Sequence, residues 1–233
     1  MKRGSRGSRE VYKWTLRQKA LQDILAAYSM PRVDTLNLGN RLQLGQRGTN
    51  LLIDLIKSKN LKEVRFADCV MKQTDLQKLR RLLNDESESL FFDETFKFGF
   101  EGTVFLKNIL QRKPVKKFSA SNCGLSRLEI RNIIEALYYM EGDEILELNL
   151  QGNRIGEEGI TLLRELLKRK TVYKLVLAHC YVTASQLQVL AGGITKMRGL
   201  MDGISLGGNL ISKKDIEFFK KSVDKKVREI AQH

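Results

Sequence analysis

Between residues 145 and 155 the chain sets apolar side chains at the first, fourth, sixth and eleventh places and asparagine at the ninth: Ile145, Leu148, Leu150, Ile155 and Asn153. The spacing recurs at Leu61, Val64, Phe66, Cys69, Met71, at Val115, Phe118, Ala120, Cys123, Leu125, at Val172, Leu175, Leu177, Cys180, Val182 and at Met201, Ile204, Leu206, Asn209, Ile211. A further copy begins at Val33, Leu36, Leu38 and carries one extra residue before Leu44. A period of this length means one small supersecondary unit repeated, and that excludes most other ways of folding 233 residues.

The starts at 33, 61, 115, 145, 172 and 201 lie 27 to 30 residues apart except for one gap of 54, which is twice 27. A hidden copy must fill it. Residues 98–113 overlay 155–170 without a gap, glycines, apolar face and basic end included, whereas the part around Ser89-Leu-Phe-Phe92 has drifted. The count is therefore seven units, the third degenerate over 85–114. In each unit a stretch of period two is followed by one of helical period, as at Ile160, Leu163, Leu166 and Leu167. The pairs Gly45 with Gly48 and Gly156 with Gly159 stand where the chain turns from strand to helix. One such unit cannot bury its apolar face alone, so the units must stack, strands into a parallel sheet and helices behind it.

In unit length and motif the sequence resembles the ribonuclease-inhibitor-like class of leucine-rich repeats, over residues 33 to about 220. The resemblance implies an α/β leucine-rich-repeat solenoid with the sheet on the concave face and helices on the convex face. The class includes inhibitors, actin-capping tropomodulins, GTPase-activating proteins for Ran, and cytoskeletal or ciliary scaffolds. It implies binding and carries over no catalytic residue.

Both ends of a solenoid need cover. Residues 1–9 read as a disordered basic tail. Residues 10–30 read as a capping helix with Val11, Trp14, Leu21, Ile24, Leu25 and Tyr28 on one face, ending before Pro31. Repeats fill 31–211, and 212–233 reads as a second capping helix through Ile216, Phe219, Val223, Val227 and Ile230. A mitochondrial presequence is the minority reading of the basic amphipathic start, and Glu10 and Asp23 count against it.

A formal charge of +14, from 41 Lys and Arg against 27 Asp and Glu, favours an acidic partner. The cations gather at one phase, the end of each helix before the next strand: Lys57, Lys59, Arg80, Arg81, Arg112, Lys113, Lys116, Lys117, Lys168, Arg169, Lys170 and Lys174. Equal phase in stacked units means adjacency, which predicts a basic ridge. One cation per helix would serve the helix dipole, and several repeats carry three or four. Side-chain alternation sends Asn37, Glu63, Arg65, Ser119, Ser121, Glu147, Asn149, Gln151, Val176 and Ser205 out of the concave sheet face, a second candidate surface without an aromatic ladder for stacked bases.

Catalytic chemistry finds no foothold. Cys69, Cys123 and Cys180 occupy the phase that Asn153 and Asn209 fill elsewhere, a buried turn position, and no CxxC spacing exists. His179 beside Cys180 has no geometry expected of a nucleophile and base. There is no GxxxxGK[ST], HExxH or GxSxG. No cofactor or metal is expected. The odd cysteine number suits a reducing compartment, and no apolar run reaches the ~18 residues of a membrane span. The chain thus reads as a non-enzymatic cytoplasmic scaffold for an acidic protein surface, tubulin being one candidate by family analogy, with a cytoskeletal or ciliary setting. An accessory role in an RNA-containing assembly is the alternative, and a small-GTPase regulator the weaker one.

Overall fold

The computed structural model describes four short strands at 13–16, 35–38, 63–66 and 89–92, part of a helix within 103–110, and residues 114–232. Nine strands form one sheet in chain order, every neighbouring pair parallel. They are β1 (Lys13–Leu16), β2 (Thr35–Leu38), β3 (Glu63–Phe66), β4 (Ser89–Phe92), β5 (Lys117–Ala120), β6 (Glu144–Asn149), β7 (Thr171–Val176), β8 (Met201–Ser205) and β9 (Val227–Ala231). Between the later strands run α1 (Arg127–Tyr139), α2 (Gly156–Arg169), α3 (Ala184–Ile194) and α4 (Lys213–Val223). Helices need 8–10 Å of separation and strands only about 4.8 Å, so a stack of such units bends with its sheet inside.

The register follows from the motif. Leu90, Phe118, Leu148, Leu175, Ile204 and Ile230 align across β4 to β9, and of these the residues from β4 to β8 are fully buried. The drifted third unit keeps its place in the sheet because Leu90 and Phe92 still fill the inward positions, with Phe92 against the ring of Phe118 at 6.0 Å between centroids.

Behind the sheet, α1, α3 and α4 each open on a reciprocal capping box, Ser126 with Glu129, Thr183 with Gln186 and Ser212 with Asp215. The second helix has no side-chain cap. Its first residue is Gly156 at φ +71, and Glu157 and Glu158 offset the dipole in the first turn. Glycine is required again where helices meet. A Cβ on Gly159 would lie 3.1 Å from Ile130 Cγ2 of α1, and 2.7 Å from Ile155 Cγ2 at its own helix start, and one on Gly193 2.8 Å from the Arg164 carbonyl oxygen of α2. The Gly45 and Gly48 pair lies outside the described residues.

The turns after β5 to β8 are closed by the ninth residue of the motif, and it alternates. Asn153 accepts from Leu125 N–H and donates to the carbonyls of Ala120, Leu150 and Gln151. Asn209 makes the same bonds two units on, accepting from Val182 and Cys180 and donating to Leu177 and Leu206. Cysteine holds the other units, Cys180 Sγ donating to Leu150 O and Ala178 O, and Cys123 Sγ to Ser121 O. Each asparagine therefore reaches into the turn of the preceding cysteine unit.

A second alternation runs along the helix ends. The sulfurs of Met140 and Met197 accept from the N–H groups of Val115 and Val172. At the same phase in the intervening units stand Lys170 and Lys226, whose ammonium groups donate to the Met140 and Met197 carbonyls, and Lys170 also to Gly142 O. Methionine and lysine at this position thus bind consecutive units in pairs.

Two expectations are corrected at the ends. Residues 13–16 are a strand where a capping helix was expected, and the rest of 10–30, with the tail 1–9, lies outside the described residues. At the other end α4 stops at Val223 and Val227–Ala231 is a strand, so the expected helix does not continue through Val227 and Ile230. The cause is the same at both. Val11, Trp14 and Leu16, like Val227 and Ile230, fit the first places of the repeat motif, and residues three apart suit a helix face equally well. An open strand edge decides between the two, since pairing with β2 or β8 satisfies the backbone.

Candidate functional site

Strand positions paired across the sheet fall into rows, one residue per strand, and from β4 onward these are positions of the face turned away from the helices. The first row reads Lys13, Thr35, Glu63, Ser89, Lys117, Glu147, Lys174, Gly203 and Glu229. The next reads Thr15, Asn37, Arg65, Phe91, Ser119, Asn149, Val176, Ser205 and Ala231. Parallel pairing holds neighbours in a row about 4.8 Å apart. Lys174 accordingly reaches Glu147 at 3.8 Å, inside a run of alternating sign from Lys117 to Lys174.

Among the expected face residues whose side chains are described, access differs. Ser119 and Val176 are only 6% and 8% exposed, shut in by the strands on either side. Ser121, Glu147, Asn149, Gln151 and Ser205 are half-buried and present their polar ends. Asn37, Glu63 and Arg65 have their backbone in the sheet, and their side chains lie outside the described residues. Sequence reasoning missed Phe91, a half-buried aromatic in the second row beside Ser119. Laying the drifted unit over its neighbours at Ser89 would have found it.

The basic edge is less uniform than the charge phase suggests. Lys57, Lys59, Arg80, Arg81, Arg112 and Lys113 lie outside the described residues. Lys116, Arg169 and Lys174 are exposed, Lys117 and Lys168 half-buried. Arg169 lies over the Tyr138 ring at 4.9 Å, and Lys168 pairs with Glu165 at 2.8 Å. Lys170 is the correction: it is 1% exposed, and burial, ahead of the neighbouring Arg169 charge, pulls its pKa down. It closes the helix ends of adjoining units and is not part of a surface. Exposed Glu141, Asp143 and Glu144 also interrupt the edge, with Arg198 at 3.6 Å from Asp143 and Tyr173 Oη donating to Glu144 at 2.9 Å.

On the helix side an ion network crosses units. Glu135 takes Lys107 at 2.7 Å and Arg131 at 2.8 Å, and Arg131 also reaches Glu158 at 3.3 Å. The Lys107 hydrogen bond, then that of Arg131, holds the Glu135 carboxyl below its ordinary value against a partial burial effect.

Burial raises the Cys180 thiol to about 11, which leaves it protonated at neutral pH. Native protein treated with N-ethylmaleimide at pH 7.5 is expected to stay unmodified at Cys123 and Cys180 until denaturant is added, by peptide mass mapping. Modification of Cys180 within minutes in native buffer would contradict the turn geometry.

Among the described residues no cluster of three or more His, Cys, Asp or Glu is placed to hold a metal, and no helix is long and apolar enough to cross a membrane. No protein-family model matches the chain. Over 213 residues it is 23% identical to the bovine (Bos taurus) NACHT, LRR and PYD domains-containing protein 5, covering 89% of this chain and 17% of that protein. Its fold is similar to the crystal structure of the leucine-rich repeat-containing protein LegL7 of Legionella pneumophila, with a TM-score of 0.62, 18% identity, and coverage of 95% of this chain and 72% of that one. With the motif, the parallel sheet and this likeness together, the chain has a leucine-rich-repeat fold.

Proposed function

We propose that the protein is a non-enzymatic interaction scaffold that engages an acidic protein surface with its sheet face and the exposed part of its basic edge. The observation that carries this reading is the grid on the sheet: one polar or charged side chain per strand, at a spacing fixed by backbone pairing. Such a surface offers an extended macromolecule many shallow contacts. The excess of 14 positive charges favours an acidic one and speeds its capture. The buried turn positions of Cys123 and Cys180 suit a reducing compartment such as the cytoplasm.

Microtubules provide a defined acidic probe, since their tails can be removed by limited proteolysis. Reversing Lys116, Lys117 and Lys174 to glutamate, with Lys170 left alone, is expected to cut co-sedimentation roughly tenfold while the melting temperature stays within a few degrees. Equal sedimentation of variant and native protein would reject the surface. If RNA were the ligand, binding to a generic single-stranded RNA would fall steeply with salt, and the same reversals would flatten that slope. Negligible RNA binding at low salt excludes that alternative.

A further inference from the structure

Away from the sheet, α3 and α4 do not close on each other as α2 and α3 do. A cleft of about 300 Å³ separates them, floored by Ala184, Ala191 and Gly192 and walled by Phe218 and Phe219. The two adjacent glycines of α3 have opposite surroundings. Gly193 is packed against the backbone of Arg164, while a Cβ on Gly192 would meet nothing within 4 Å. Phe218 stands 59% exposed at the rim.

The charges around the cleft are sorted. On α4 and its extension Lys214, Phe218, Lys221 and Lys225 fall at i, i+4, i+7 and i+11, one stripe beside the cleft with no acid in it. Glu217 and Asp224 share the stripe of Lys213 and Lys220, on the side turned away from it. Asp215, which does line the cleft, is already bound to Ser212 by 2.6 and 2.8 Å hydrogen bonds in the cap. All five lysines are exposed and none has an ion-pair partner among the described residues, whereas Arg131, Arg164 and Lys168 on the other helices are paired.

We infer that the α3–α4 cleft is a second docking site, for an acidic amphipathic helix that inserts an apolar side chain over Gly192 and sets carboxylates against Lys214, Lys221 and Lys225. The small-residue floor, the aromatic wall and the three lysines beside it complement such a segment, the one acid of the lining being Asp215 in the first turn of α4, and a helix lying in a groove is a common way of binding one. The volume lies at the lower end of ligand-binding pockets, about 300–1,000 Å³, enough for a large anchor. The site is separate from the sheet face and basic edge, so either can fail without the other.

The probe is a fluorescein-labelled amphipathic peptide about four helical turns long, with leucine on one face and glutamate on the other, read by fluorescence anisotropy against the full chain. Gly192→Leu fills the cleft from a position with open space. It is expected to weaken binding at least tenfold with the thermal transition unchanged or raised. The pair Lys214→Glu and Lys221→Glu is expected to weaken it about tenfold, with a shallower salt dependence. A peptide with lysine in place of glutamate should not bind, and reversal of Lys116 and Lys174 should leave the affinity unchanged. The proposal is overturned if the acidic peptide fails to bind at millimolar concentration, if Gly192→Leu binds it like the native chain, or if reversal of the basic edge removes binding instead. It is equally overturned if phosphatidylserine vesicles, and not the peptide, are captured through Phe218 and these lysines.

Discussion

Asn153→Ala is expected to destabilise the protein by about 3–5 kcal/mol, the sum of several buried polar groups losing their partner at once. Asn153 is 1% exposed and holds Leu125 N–H, Ala120 O, Leu150 O and Gln151 O at 3.1, 2.7, 2.9 and 3.1 Å. Alanine cannot replace the donor or the acceptor, and the cavity is too enclosed for water to serve all four. The loss falls on two units, because Leu125 and Ala120 belong to the preceding one. Amide exchange at Leu125 should therefore speed up together with the drop in urea midpoint. Asn153→Cys should lie between, since Cys180 shows that a thiol closes the same turn with its own donor. A midpoint change equivalent to less than about 1 kcal/mol for Asn153→Ala would mean the turn is held by packing alone.

Lys170→Ala is expected to cost about 2–4 kcal/mol, the range for removing a charged donor from buried carbonyls. The ammonium is the sole side-chain link seen between the C-cap of α2 and the carbonyls of Met140 and Gly142 at the end of α1. Its pH behaviour supplies a separate check. Burial lowers the folded-state pKa below the ordinary 10.5, so in the window just under 10.5 the unfolded chain binds more protons than the folded one. Stability contributed by this site must then rise as pH climbs toward 10.5, a slope that Lys170→Met removes. Chemical denaturation of both proteins from pH 8 to 10.5 measures it, and parallel curves would contradict the burial. Lys170→Glu would unfold the helix ends, and a partner lost from that variant would report the fold and say nothing of the edge.

Most of the fold could be read because a period of two inside a period near 28 leaves few alternatives. Leu148, Leu150 and Asn153 name both the strand and the turn. β4 was recoverable only by counting, since Ser89–Phe92 lacks the motif's turn residue. The ends misled because Val227 and Ile230 satisfy two periods, and the choice belongs to β8, whose open edge is a tertiary fact. Charge phase located a cluster of lysines without separating Lys174, which is exposed, from Lys170, which is buried four residues earlier. The cleft was invisible for a related reason. Gly192 and Gly193 are identical in sequence, and only the distance of the neighbouring helix tells which is filled.

The alternation of asparagine with cysteine and of methionine with lysine in the described units also bears on how many units could be gained or lost. Its smallest self-consistent module is a pair of units, as from Val115 to Val172, and not a single repeat. Loss of one unit by unequal recombination would bring two like units side by side, two methionine ends with no ammonium between them or two lysines competing for the same carbonyls. Gain or loss of two leaves every junction as it was. In the described units from Val115 onward, a change by two would keep the chemistry of these four side chains at each junction and a change by one would break it.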